Sequence, residues 1–266
     1  MGEAQHPAPE PRSVPTLLGV SLKLYLDIGA SEAWARGVAA IAGRHPAVVD
    51  GSVQVFVLPS LPALPAVRQA LAGTKVAVGA QDLHWEDRGP FTGAISGVDL
   101  RDAGCTFVEV GHAERRTLFG ETDDIVARKL AAAMRNSLTP VLCIGEENEG
   151  PAEDAVLTST AQLASALDGL DDAVRGDLVV AYEPVWAIGR PKPANAAHVS
   201  RVVAALREML DRNPRIARSW VIYGGSAQAG SLNELGRGVD GLFMGRFAHN
   251  PIDLARMVDE AALLTT

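Results

Sequence analysis

Short, nearly continuous apolar runs recur along the chain, each followed by a longer stretch whose apolar positions fall three and four residues apart. The runs are Leu17–Leu22, Val53–Leu58, Lys75–Gly79, Phe107–Val110, Val141–Ile144, Leu178–Ala181, Trp220–Tyr223 and Gly241–Met244. Runs of this kind predict parallel strands buried on both faces. Between them the spacing predicts helices over Ser31–Arg44, Pro62–Ala72, Asp123–Asn136, Thr158–Ala173, Ala194–Asn213, Ser231–Gly236 and Ile252–Leu264, with a shorter one over Val98–Ala103. Ser231 and Glu234 have the spacing of a capping box. Repeated strand–helix units without a break in composition predict an α/β fold, a single closed (β/α)8 barrel over residues 16–266. The alternative, an open doubly wound sheet, would carry GxGxxG after its first strand, and that fingerprint is absent. Residues 1–15 are polar and Pro-rich and predict a loose, disordered tail.

Composition narrows the function classes. Of the 266 residues 47% are hydrophobic, enough for a large core. The formal net charge of −8 repels a polyanion, so nucleic acid is not an expected partner and an anionic ligand needs a local basic site. The 2 cysteines, Cys105 and Cys143, sit in apolar context without metal-ligand spacing. They predict reduced, buried thiols in a cytoplasmic protein. No apolar run is long enough to span a membrane, and no signal peptide is expected.

A barrel places function on the loops at the C-terminal ends of its strands. Lys23 follows the first strand and suits an anionic ligand, though a solvated strand-end lysine looks the same. His112 follows the fourth strand, within Gly111-His-Ala-Glu-Arg-Arg116. It reads as an acid or electrophile, or as a satisfied core histidine, and its charged neighbours as a solvated ion-pair cluster. After the fifth strand Cys143 reads as packing and Glu146 as the partner of a neighbouring base. After the sixth strand comes Glu183, which Pro184 keeps out of helical geometry. Trp186 follows as an apolar body able to seal a site, and Gly189 as a flexible point. Gly224, Gly225 and Ser226 after the seventh strand, and Gly245 after the eighth, leave backbone N–H groups open to a phosphate.

These segments resemble the triosephosphate isomerase family over nearly the whole chain after the tail. GHAERR resembles the family's GHSERR, YEPVWAIG matches outright, and CIGE, YGGS and FTGAIS fall in the family's order and spacing. The resemblance implies a TIM barrel and a phosphorylated-sugar isomerase working through an enediolate, with no metal or organic cofactor. Glu183 would be the base, His112 would polarise the substrate oxygens and Lys23 would stabilise negative charge. Gly189, Gly225, Ser226 and Gly245 would hold the phosphate. Residues 186–194 would form a closing lid, including Trp186, Ala187, Ile188, Gly189, Arg190, Pro191 and Lys192. Residues 84–94, with Trp85, Phe91 and Thr92, would project into a partner subunit of a homodimer. Triosephosphate isomerase is itself the reference case for a glutamate base working beside a neutral histidine.

Four departures bear on the substrate. Ser21-Leu22-Lys23 stands where the family has Asn-Trp-Lys, Ala113 where it has Ser, Gly245-Arg246 where it has Gly-Gly, and Arg190-Pro191-Lys192-Pro193 where it has Thr-Gly-Lys-Thr. Ser21, with "DLHW" at 82–85 and "GRFAHN" at 245–250, resembles the family's L-erythrulose-1-phosphate isomerase branch. That branch implies a four-carbon substrate in polyol catabolism, with Ser21 giving extra room. The alternatives are an ordinary glycolytic isomerase with a drifted first-strand motif, and a barrel that binds a phosphate metabolite without turning it over. Arg246 has two readings, a charge-assisted bond to phosphate or an ion pair with an acid such as Asp253.

Overall fold

A computed structural model of the chain describes residues 14–42, 44–190 and 193–264. The predicted barrel is present and closed. Strands β1 (Thr16–Ser21), β2 (Val53–Leu58), β3 (Ala77–Ala80), β4 (Phe107–Val110), β5 (Thr139–Ile144), β6 (Gly176–Tyr182), β7 (Ile216–Tyr223) and β8 (Gly241–Met244) follow one another in order, and β8 pairs with β1. All the pairings are parallel. Around them lie α1 (Ile28–Ala42), α2 (Pro46–Asp50), α3 (Leu64–Ala70), α4 (Gly97–Asp102), α5 (Ala113–Phe119), α6 (Asp123–Arg135), α7 (Ala152–Asp168), α8 (Ala196–Asp211), α9 (Ser231–Leu235) and α10 (Pro251–Leu264).

Side chains alternate between the two faces of each strand, so the barrel has two cores. Val20, Val57, Val108, Val180 and Met244 face outward and pack under the helices. Leu17, Phe56, Phe107, Val179, Trp220 and Phe243 face inward and fill the barrel. The Phe56 ring stacks on Phe107 at 4.5 Å between centroids. It fits because position 19 is glycine: a Cβ there would stand 2.1 Å from the ring. Among the described residues this packed interior fills the barrel below its mouth, which leaves the mouth as the place for a ligand.

Several elements differ from expectation. β7 begins at Ile216 rather than Trp220, because its first turn of strand is exposed and carries Arg218, which hides it from an apolar-run search. α7 runs from Ala152 to Asp168 rather than from Thr158 to Ala173. Its start follows Pro151, and two acids stand in its first turn, where the helix dipole favours them. α2 and α5, of five and seven residues, are too short to show a helical period. The Ser231 capping box does not form. Gly230 is the N-cap, and the Ser231 hydroxyl instead accepts from the Gln228 N–H. Residues 1–13 of the expected tail lie outside the described residues. Among the described residues no helix is long and apolar enough to cross a membrane.

Candidate active site

The mouth of the barrel gathers Lys23, His112 and Glu183, which lie far apart in sequence. Glu183 is the first residue after β6, and its N–H donates to the Ile144 carbonyl of β5 at 2.8 Å. Its side chain is buried. Position 224 must be glycine for that placement, since a Cβ there would lie 2.5 Å from the Glu183 Cγ. The Oε2 of Glu183 has no hydrogen-bond partner among the described residues. It points at His112, whose Nε2 is 3.6 Å away. A buried carboxylate oxygen left without a donor is free to accept a hydrogen bond or a proton from a ligand.

His112 is the N-cap of α5. The Glu114 backbone N–H donates into its Nδ1 at 3.1 Å. A ring that accepts at Nδ1 carries its proton on Nε2, so the N–H faces the cavity. A sharp helix start two residues before an acid is thus what sets the tautomer.

Lys23 adopts a left-handed backbone at φ 49°, strained for a residue with a side chain. The Gln81 side chain holds it there, donating to the carbonyls of Lys23 at 3.1 Å and Leu58 at 2.9 Å. The Lys23 Nζ donates to Glu114 at 2.6 Å. Burial alone would lower its pKa. The Glu114 hydrogen bond and the charges of Glu183, Glu114 and Glu109 outweigh that and raise it, so the ammonium stays charged.

Two acids join this group: Glu114, which the sequence reads as part of a solvated ion-pair cluster, and Glu109, which it passes over. Glu114 ties Lys23 to the start of α5. Glu109 is the inward-facing acid of β4, two residues after the inward Phe107, and accepts from the Ser21 hydroxyl at 2.9 Å. Its other oxygen lies 3.9 Å from His112 Nε2. Burial pushes its carboxyl up to about 7, against the opposing pull of His112. The signal for Glu109 was present as one acid inside an apolar four-residue strand, FVEV. The Arg115–Arg116 cluster is structural: Arg115 pairs with Asp82 and Glu121, and Arg116 with Asp123.

Cys143 faces inward beside Glu183, as a packing thiol. Burial and the neighbouring Glu183 and Glu109 hold its pKa well above the usual range, so it stays protonated. Cys105 is also free and buried, and burial pushes its thiol up to about 11.

The segment expected to be a lid starts with a 3-10 turn, Val185–Ala187. Trp186 donates from its indole to Glu146 at 2.8 Å. Glu146 also accepts from the Tyr182 hydroxyl at 3.1 Å and lies 3.3 Å from His198. The neighbouring base expected for Glu146 is therefore His198, joined by two neutral donors. The Ser226 hydroxyl donates to the Ala187 carbonyl at 2.8 Å, joining the segment to the turn after β7. Ile188 and Arg190 continue the segment, and Gly189 is left-handed at φ 73°. Pro191 and Lys192 lie outside the described residues.

Ser226 itself has φ 59°, so the turn Gly224–Ser226 is tight. Gly225 lies over the Tyr223 hydroxyl, which donates to its carbonyl. Gly245 opens a second turn, Arg246–Ala248, after β8. Arg246 does not take Asp253 as its partner. Asp253 pairs with Arg256 at 3.0 Å, while the Arg246 guanidinium sits over the Tyr25 ring, and one of its nitrogens is 3.8 Å from where a Cβ on Gly189 would be. Gly189, Gly225, Ser226, Gly245 and Arg246 thus sit on the turns after β6, β7 and β8.

On the other side of the mouth lies a cavity of about 900 Å³, with Ser21, Lys23, Glu109 and His112 on its wall. Its rim carries Leu24, Tyr25, Leu118 and Phe119, all exposed. The expected projecting loop is nearby. Phe91 and Thr92 are exposed at its tip. Trp85, expected to reach a partner subunit with them, is half-buried under the Arg128 guanidinium, 4.4 Å from its ring.

The triosephosphate isomerase family model matches residues 16–261. An L-erythrulose-1-phosphate isomerase of Pectobacterium atrosepticum is 50% identical over 250 residues, covering 94% of this chain and 96% of its own. A triosephosphate isomerase of Synechococcus sp. is 38% identical over 253 residues, covering 94% and 98%. The crystal structure of a triosephosphate isomerase from Bartonella henselae superposes with a TM-score of 0.78 at 28% identity, covering 94% of this chain and 100% of that one.

Proposed function

The chain belongs to the triosephosphate isomerase family and is a sugar-phosphate isomerase, and on that premise we propose that it interconverts L-erythrulose 1-phosphate and D-erythrulose 4-phosphate. The observation that carries the chemistry is the unpartnered Glu183 Oε2 lying 3.6 Å from the protonated Nε2 of His112. A proton alpha to a ketone leaves only if a base and an oxyanion partner act together. Glu183 takes the proton from carbon 3, and the electron pair becomes the double bond between carbons 2 and 3. The former carbonyl oxygen becomes an oxyanion, met by His112 Nε2–H and the Lys23 ammonium. A proton passes between the two enediolate oxygens through His112. Glu183 then returns its proton to carbon 2, and the carbonyl appears at carbon 3. No net electrons enter or leave, so the reaction needs no redox cofactor, and in this reading the side chains alone carry the proton.

Gly189, Gly225 and Gly245 hold the phosphate through backbone N–H groups, and Arg246 adds a charged contact from beside Gly189; the Ser226 N–H, expected to join them, is instead donated to the Gly224 carbonyl at 3.0 Å and shapes the turn. The segment that starts at Trp186 closes as a lid, excluding water from the enediolate. Two features favour four carbons. Ser21 is small and sits on a cavity large enough for a further carbon, and the Pectobacterium relative carries that activity in its name. The free, buried cysteines fit a cytoplasmic setting. Leu24, Leu118 and Phe119 form an apolar rim, and Phe91 is exposed on the projecting loop; both suit a second copy of the chain, so the working form is a homodimer in which Thr92 approaches the partner's site.

The test is isomerisation of L-erythrulose 1-phosphate in deuterium oxide, followed by NMR. The proposal expects D-erythrulose 4-phosphate carrying deuterium at the new carbinol carbon. Conversion of dihydroxyacetone phosphate alone, with the four-carbon ketose untouched, would instead establish the three-carbon reading.

A further inference from the structure

Glu109 is costly to place where it stands. It is 3% exposed, inside the barrel, in a strand whose other residues are apolar. A buried carboxyl costs several kcal/mol unless its partners are good, and an apolar side chain of similar size is commonly the more stable choice. The partners here are few. Lys23, the nearby ammonium, is taken by Glu114 at 2.6 Å. The Glu109 carboxyl has the Ser21 hydroxyl at 2.9 Å, and His112 Nε2 only at 3.9 Å. The proton transfers described above do not use it. It is nonetheless open to a ligand, because it lies on the wall of the same 900 Å³ cavity as Lys23 and His112.

The direction of the site says which part of a ligand it meets. Glu183 and His112 fix where the two reacting carbons lie. The turns that offer backbone N–H groups to phosphate follow β6, β7 and β8. Glu109 is on β4 and reaches across the barrel interior to Ser21 on β1, and their cavity opens over β1 to β4. A four-carbon ketose phosphate runs from phosphate, through a methylene and the two reacting carbons, to a terminal hydroxymethyl group. With the phosphate over β6 to β8, the hydroxymethyl end points at the Ser21–Glu109 pair.

We propose that Glu109, held by Ser21, is a specificity-determining residue that hydrogen-bonds the terminal hydroxymethyl of the substrate. The hydroxyl donates to a Glu109 oxygen, while the Ser21 hydroxyl goes on donating to the same carboxyl and fixes its orientation. A three-carbon substrate ends at the reacting carbons and leaves this pair without a ligand. The inference rests on the four-carbon reading above. A site that binds a hydroxyl through buried polar groups discriminates strongly against an analogue lacking it, and Glu109 retains Ser21 either way, which reduces the effect to about 10²-fold.

The experiment compares kcat/KM for L-erythrulose 1-phosphate and dihydroxyacetone phosphate in the unmodified protein, Glu109→Val, Glu109→Gln and Ser21→Ala, with melting temperature and inorganic phosphate binding measured alongside. The expected result is a four-carbon to three-carbon ratio lowered about 10²-fold in Glu109→Val and about tenfold in Glu109→Gln and Ser21→Ala. Phosphate binding should stay unchanged. If Glu109→Val fails to fold, Glu109→Gln carries the test, since the amide keeps the volume. An unchanged ratio in the folded variants overturns the assignment while leaving the four-carbon reading intact. Absence of four-carbon turnover in the unmodified protein removes that reading, and the role of Glu109 with it.

Discussion

Glu109 also leaves a mark on stability that does not depend on any substrate. Its carboxyl is raised by burial from 4.5 to about 7, so the folded chain holds this proton more tightly than the unfolded chain. Its contribution is therefore present in full below about 4.5 and is lost as pH rises through about 7. Glutamine does not titrate. Urea unfolding at about pH 5 and about pH 8 should show Glu109→Gln gaining stability relative to the unmodified protein, by up to about 3 kcal/mol. A difference that stays constant with pH would mean that Glu109 is not held neutral. Residues of this kind are poorly legible in sequence. Glu183 and His112 announce themselves because they follow strands and sit in recognisable motifs. Glu109 lies within a strand, and its importance depends on Ser21, which comes from the opposite side of the barrel.

At the scale of the element, catalysis here is a matter of how neighbouring strand ends fit. β6 delivers Glu183, and the turn after β7 leaves room for it at Gly224. A methyl group at position 224 would fall 2.5 Å from the Glu183 Cγ, so Gly224→Ala must push aside the side chain we propose as the base. Displacement of a base by about 1 Å costs about 10²-fold in rate, whereas overpacking one turn costs about 1–3 kcal/mol of stability. We expect Gly224→Ala to lose turnover by about that factor and remain folded by circular dichroism. Full activity would show that Glu183 is free to move. The apolar runs made the strands legible, since a buried parallel strand has little else to be. Helices shorter than two turns, such as α5, were not legible. That omission concealed the most useful local fact about His112, that it is a helix cap whose tautomer is set by the next turn.

For the whole molecule, the eight-unit repeat was readable from pattern alone, because only closure lets every strand be buried on both faces. What the chain does with its outer surface was less so. Trp85, which reads as a contact residue, packs under Arg128, while Leu118 and Phe119 of the unforeseen α5 are exposed beside the mouth. These side chains, with Leu24 and Phe91, predict a homodimer. Sedimentation at micromolar concentration should give twice the chain mass of 27.9 kDa, and a Leu118→Glu, Phe119→Lys double variant should fall to the monomer. A monomer in the unmodified protein would leave that rim unexplained.

The central claim is that this barrel turns a proton-transfer site toward a four-carbon ketose phosphate. Its most direct test is the ratio of kcat/KM for L-erythrulose 1-phosphate to that for dihydroxyacetone phosphate, measured on the purified unmodified protein. The account predicts a ratio above about 10²; a ratio below one would contradict it.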